Sequence, residues 1–220
     1  MCSSPPKNNT GYWRSRRSRQ NITTAFLREG NNVAVCDVDE IRLSQTASDW
    51  SAHGERALVP RTDITDERTV EDLIRDKFGR LDMLINSAGV NTDRIMGINL
   101  TGTLFKAKVA VALVESQPRP GGTIINIGSV ASYKGFNAGA AYNGTYNVAL
   151  LLGGMDDTNI ADHIKKGALN KDGMTRIEMA NPGYVPGKTN IPLADVAKYC
   201  IFFSDPNMTA ASNGAAINVH

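Results

Sequence analysis

Ser129 and Tyr142 are the two residues whose types and spacing could do chemistry together. A phenol can pass a proton when a nearby cation lowers its pKa, and a serine hydroxyl can polarise and orient a carbonyl. Ser129 follows the strand-like run "GTIINIG", and Tyr142 lies thirteen residues further on, in the helical pattern "AGAAYNGTYNVALLL". Either residue alone has an ordinary structural reading. Paired across a strand, a loop and a helix, they form a specific signal. Four residues past Tyr142, one helical turn away, stands Tyr146, which carries no charge to lend.

The elements that must position this pair alternate from residue 22 onward. "ITTAFLREG" reads as the end of an amphipathic helix closed by Gly30, and "NVAVCDV" as a buried strand. "ALVPRTDIT" is a second short strand. "DERTVEDLIRDKFG" is a helix with Val70, Leu73, Ile74 and Phe78 on one face. The strand "LDMLINSAG" precedes the long helix "RIMGINLTGTLFKAKVAVALVES". A further helix begins after Pro192, and "GAAINV" closes the pattern as a strand. Continuous apolar strands alternating with helices imply one α/β domain, a doubly wound parallel sheet covered on both faces.

Ligands in such sheets sit beyond the carboxyl ends of the strands. Asp37 ends "VAVCD", where a carboxylate can accept hydrogen bonds from adenosine ribose hydroxyls and would repel a 2′-phosphate. Capping a turn is its structural alternative. Asp63 ends the next strand, where it could touch adenine or cap a turn. In "NSAG", Asn86 to Gly89, the small residues Ala88 and Gly89 let a flat cofactor approach the backbone.

Composition sets the remaining limits. The 220 residues carry a net charge of +2, with 41% hydrophobic content, as expected of a soluble single domain. No apolar run in the sequence approaches the ~18 residues of a membrane helix, so no membrane partner is expected. Cys2, Cys36 and Cys200 show no paired spacing, which fits reduced thiols in the cytoplasm and no metal site. Residues 1–21 include Lys7 and four arginines between 14 and 19, and no acid precedes Glu29. They read as a basic, disordered arm, with phosphate binding or mitochondrial targeting as alternatives. Nothing else resembles a nucleic-acid module.

With these motifs in place, residues 22–218 resemble the short-chain dehydrogenase/reductase family. "NSAG" is similar to its Asn-Asn-Ala-Gly, "INLTG" to its Asn-bearing helix, "INIGSVAS" to its serine strand and "AYNGTY" to its Tyr-x-x-x-Lys. "FFSDPNMTAASNGAAINV" is similar to its C-terminal helix and strand. The resemblance implies a Rossmann-like domain over 22–220 and an oxidoreductase acting on a small alcohol or ketone. It implies Asn99, Ser129 and Tyr142 as catalytic residues, and Asp37, Asp63, Asn86, Ala88, Gly89 and Thr158 as cofactor contacts. The acid at Asp37 points to NAD over NADP, and relatives commonly pair as homo-oligomers through the helices around Asn99 and Tyr142.

The departures are equally specific. Tyr146 stands where the family has the lysine that lowers the tyrosine's pKa, which leaves Tyr142 nearer the ordinary phenol value of ~10. Lys134 lies before the helix and does not substitute. Arm residues "TGYWRSRR" replace the family's first strand and Gly-rich phosphate loop, keeping only Thr10 and Gly11. Nine residues separate Gly89 from Asn99, a shortened segment. After "VALLL" the sequence reaches "GGMDDTNI", similar to a family loop containing Thr158, so a helix end and the sixth strand are expected to be missing. The alternative places that loop at "NPGYV", Pro182 to Val185. These losses raise a second reading, a catalytically inactive relative that serves as a binding or oligomerisation module.

Overall fold

The structure is a computed structural model that describes residues 8–13, 16–66, 68–69, 71–73, 79–89, 94–118, 121–129, 150–152, 192–205 and 217–219. Five parallel strands form the main sheet: β1 (Asn8–Trp13), β2 (Asn32–Cys36), β3 (Ala57–Leu58), β4 (Met83–Ser87) and β5 (Thr123–Asn126). Their order is β3-β2-β1-β4-β5, so the chain winds outward from β1 in one direction and then the other. Helix α1 (Arg16–Arg28) crosses from β1 to β2, and α2 (Glu40–Asp49) from β2 to β3. Residues 68–69 and 71–73 are helical before β4. A π-helical turn (Met96–Thr101) leads directly into α3 (Gly102–Ser116), which returns the chain to β5. Strand β6 (Leu150–Leu152) pairs in parallel with β7 (Ile217–Val219), and α4 (Leu193–Phe203) lies between them in sequence.

The first strand corrects the sequence reading. The expected arm over residues 1–21 supplies β1 and the start of α1, and β1 is the centre of the sheet. It pairs with β2 from Asn8↔Asn32 to Tyr12↔Cys36, and with β4 from Asn9↔Met83 to Trp13↔Ser87. "NNTGYW" has few β-formers, so ladder bonds on both sides overrule a weak local preference. A second correction concerns Leu150–Leu152, expected at the end of a helix. Leucine is a good helix former, but here these residues pair with Ile217–Val219. A strand is therefore present where one was expected to be lost.

Alternation along the strands builds two cores. Val33, Val35, Met83, Ile85 and Ile125 face α1 and α4, packing on Ile22, Phe26, Val196 and Cys200. Cys36 and Leu84 point the other way, against Val109, Ala110 and Leu113 of α3. A period of two along a strand sends adjacent residues to opposite faces, which is why both faces need helices. Helix α1 ends where Gly30 takes φ 82°, with Asn31 N–H donating to Phe26 O and Gly30 N–H to Leu27 O. That pattern satisfies the last carbonyls and needs a residue free of Cβ strain.

The helical run Met96–Ser116 is 21 residues long and contains an 18-residue stretch of mean hydropathy 1.3, enough in length and composition to cross a membrane. The sequence reading had found no such run. One side of the run, including Val109, Ala110 and Leu113, packs onto the sheet, while Met96, Leu100, Leu104 and Val111 are exposed.

Candidate functional site

The C-terminal edge of the sheet collects the residues singled out from sequence. Asp37 follows β2, Asp63 follows β3, Asn86 to Gly89 end β4, and Ser129 follows β5. The end of β1, which precedes α1 in sequence, lies on the same edge, between β2 and β4. Thr10 and Gly11 lie inside β1, not beyond its end. Asn99 is buried in the π-helical turn. Tyr142, Tyr146, Lys134, Thr158 and the segment 182–185 lie outside the described residues.

Asp37 is held by its own loop: Oδ1 accepts from the backbone N–H of Val38 at 2.8 Å and of Asp39 at 3.2 Å. Its carbonyl accepts from Thr62 N–H at 2.9 Å, and an isolated parallel bridge joins Asp37 to Arg61. The strand ends of β2 and β3 are therefore tied just below the two carboxylates. Asp63 Oδ1 accepts from Thr65 Oγ1 at 2.7 Å and from Thr65 N–H at 2.9 Å. These bonds, the hydroxyl first, hold its carboxyl below the usual carboxylate range, and Arg94 and Arg61 act in the same direction while burial opposes them.

Around Asp37 the charges are paired. Glu40, at the start of α2, lies 3.3 Å from Arg61 Nε, and Arg42 Nε lies 3.1 Å from Asp39. At the other end of the edge the polar groups are neutral. Asn86 Nδ2 donates to Asn126 Oδ1 at 2.8 Å across the β4–β5 pair, and Asn86 Oδ1 is buried with no hydrogen-bond partner among the described residues. Ile127 N–H donates to the Asn86 carbonyl at 2.8 Å, extending the ladder toward Ser129.

One contact links the two ends. A Cβ on Gly102 would meet Ile64 Cγ1 and the Ile64 carbonyl oxygen, each at 3.1 Å. Glycine at 102 thus lets the segment carrying Asp63 press against the helix carrying Asn99. The adjacent turn is π-helical, with Gly102 N–H bonded to Gly97 O, five residues back. Such turns widen a helix locally and recur at functional sites.

The edge fits a dinucleotide in three respects: an α-helix N-terminus at the switch between β1 and β4, carboxylates at the β2 and β3 ends, and an orphaned buried acceptor at Asn86. Sequence reasoning missed Asn126, whose signal was a lone amide within a β-branched strand. It also missed the Glu40–Arg61 pair, which has no sequence periodicity to announce it. A groove of about 520 Å³ between α1 and α4, lined by Gln20, Thr24, Arg28, Ala194, Lys198 and Ile201 among others, contains none of the candidates.

Comparison with known proteins agrees with this geometry. A family model described as short chain dehydrogenase matches residues 20–147. The short chain dehydrogenase/reductase dpchG of Colletotrichum higginsianum is 30% identical over 234 residues, covering 90% of this chain and 86% of that protein. The chain belongs to the short-chain dehydrogenase/reductase family of oxidoreductases. Among solved structures, NAD+-bound xylitol dehydrogenase is similar with TM-score 0.79 at 19% identity, over 97% of each chain. ElxO with NADP bound gives 0.73 at 20% identity, over 97% of this chain and 98% of that one. These two likenesses establish the Rossmann-type fold.

Proposed function

We propose that the chain transfers a hydride between NAD(H) and a small alcohol or ketone at the C-terminal edge of the sheet. The observation that carries this reading is the convergence of Asp37, Asp63, Asn86 and Ser129 on one edge, around the β1–β4 switch point. Asp37 takes the adenosine ribose hydroxyls, and its charge disfavours a 2′-phosphate. Asp63 serves the adenine side. Asn86, Ala88 and Gly89 give a low-bulk backbone and a buried acceptor along the dinucleotide, and Thr158, which lies outside the described residues, is a further contact by its sequence motif.

The N-terminus of α1, bearing Arg16, Arg17 and Arg19 by sequence, takes the pyrophosphate. The macrodipole favours an anion at a helix N-terminus, and the basic sequence there adds positive charge. When bound, the nicotinamide supplies the hydride donor or acceptor. Ser129 orients the substrate oxygen, Tyr142 passes the proton to or from that oxygen, and Asn99 steadies its own helical run. Met96, Leu100 and Leu104 lie exposed on the same helical run as Asn99, which supports pairing with a second copy of the chain.

A second reading, an inactive binding or oligomerisation module, is favoured by Tyr146 and by the glycine-poor β1–α1 turn. Titration of the purified chain with NADH and NADPH, followed by cofactor fluorescence and accompanied by circular dichroism, separates the two. Saturable NADH binding supports the oxidoreductase reading. A folded chain that binds neither cofactor supports the module.

A further inference from the structure

We propose that Glu40 and Arg61 set the cofactor preference of the adenosine corner, with Glu40 neutralising a cation that would otherwise receive a 2′-phosphate. The inference rests on Asp37 as the ribose-binding residue. Arg61 reaches this corner through the backbone: the parallel bridge to Asp37 and the Thr62 N–H bond to the Asp37 carbonyl fix its position. Its side chain is then drawn to Glu40, 3.3 Å from Nε. Arg61 also acts on the Asp63 carboxyl, so it stands between the two candidate adenosine contacts.

Charge decides what this arrangement does. Asp37, Asp39 and Glu40 face Arg42 and Arg61 at the β2–α2 corner, while Asp63 and Arg94 add one charge of each sign. The corner keeps one net negative charge, which disfavours the dianionic 2′-phosphate and leaves the neutral ribose diol of NAD(H) unpenalised. Without the Glu40 carboxylate the corner becomes neutral and Arg61 loses its counter-ion. A guanidinium released in this way matches phosphate oxygens through its planar fork of donors. Because the Arg61 and Glu40 side chains are 65% and 79% exposed, the pair adds little to folding and can be altered without unfolding the chain.

The test compares the full-length chain with Glu40→Gln, Arg61→Gln and the double variant, each titrated with NADH and NADPH at low and high salt. Glu40→Gln is expected to raise NADPH affinity relative to NADH by about three- to tenfold at low ionic strength, the size of one partly screened charge. That gain shrinks at about 0.5 M salt. Arg61→Gln shifts the ratio the other way, and the double variant returns it to that of the unmutated chain. An unchanged ratio in Glu40→Gln, with NADH still binding and Asp37→Ser still shifting the ratio, overturns this inference alone. Retention of the gain in the double variant overturns the role given to Arg61. Failure of the unmutated chain to bind either cofactor overturns the ribose role of Asp37 and this inference with it.

Discussion

The two ends of the sheet edge solve the problem of placing polar groups in opposite ways. At the β2–β3 end, Asp37 and Asp63 are half-buried carboxylates, each bonded to backbone N–H groups of its own loop. Water and nearby arginines share the charge, so this corner is assembled locally and is cheap to keep folded. At the β4–β5 end, Asn86 and Asn126 are neutral amides bonded to each other across strands forty residues apart in sequence. Asn86 is buried, and its side-chain Oδ1 has no partner among the described residues. An unmet buried acceptor costs ~1–3 kcal/mol, whereas an exposed ion pair is worth ~0–1 kcal/mol. The charged corner can therefore tune selectivity at little risk to the fold. The neutral corner is tied to the core, and changes there touch stability first.

The largest expected effect tests whether chemistry at the neutral end is limited by a missing cation. Tyr146→Lys puts an ammonium four residues after Tyr142 in sequence, the spacing that brings two side chains together where a segment is helical. If NADH binds, turnover of a generic small ketone should rise by ~10²–10⁴-fold, the range for a positioned acid/base group. Stopped-flow oxidation of NADH measures it. No gain despite cofactor binding would place the defect in the shortened segments instead.

Next in size is Lys106, buried on α3 against the opposite core. Burial pushes its ammonium down to about 7, while the neighbouring Cys36 pulls weakly the other way. Between about pH 7 and pH 10.5 the unfolded chain holds a proton that the folded chain has released, so stability should rise with pH across that window. Below it the full penalty remains. Lys106→Met should raise stability at neutral pH by on the order of a few kcal/mol and flatten this rise. Urea unfolding at pH 6 and pH 9 checks both.

Asn126→Leu should cost ~1–3 kcal/mol in urea unfolding, because it strands the Asn86 amide donor in the core. A loss within error would mean that Asn86 finds another partner. The smallest effect belongs to the charged corner: Asp37→Ser should shift the NADH to NADPH affinity ratio toward NADPH by about tenfold, with no comparable loss of stability. Equal affinities in the unmutated chain would remove the basis for the ribose role.

Much of this contrast was legible before the structure. Asp37, Asp63 and Ser129 stand where apolar, β-branched runs stop, and strand ends are what alternation and turn residues mark best. Helix α4 after Pro192 carried a clear apolar stripe, and the run through Asn99 read as a long helix. The central strand was not legible, because "NNTGYW" owes its conformation to β2 and β4 on either side and not to its own residues. Leu150–Leu152 was misread for the same reason: pairing partners sixty-seven residues away outweigh leucine's helical preference. Contacts between distant segments, such as Asn86 with Asn126 or Arg61 with Glu40, leave no period in the sequence.

Hydrogen–deuterium exchange of the full chain with and without saturating NADH tests the central claim most directly, because it reports where the cofactor lies. The account predicts slowed exchange at residues 38–39, 87–89 and 127–129, the amides just beyond β2, β4 and β5, with α4 unchanged. Protection confined to the groove between α1 and α4, or none at the strand ends despite NADH binding, would contradict it.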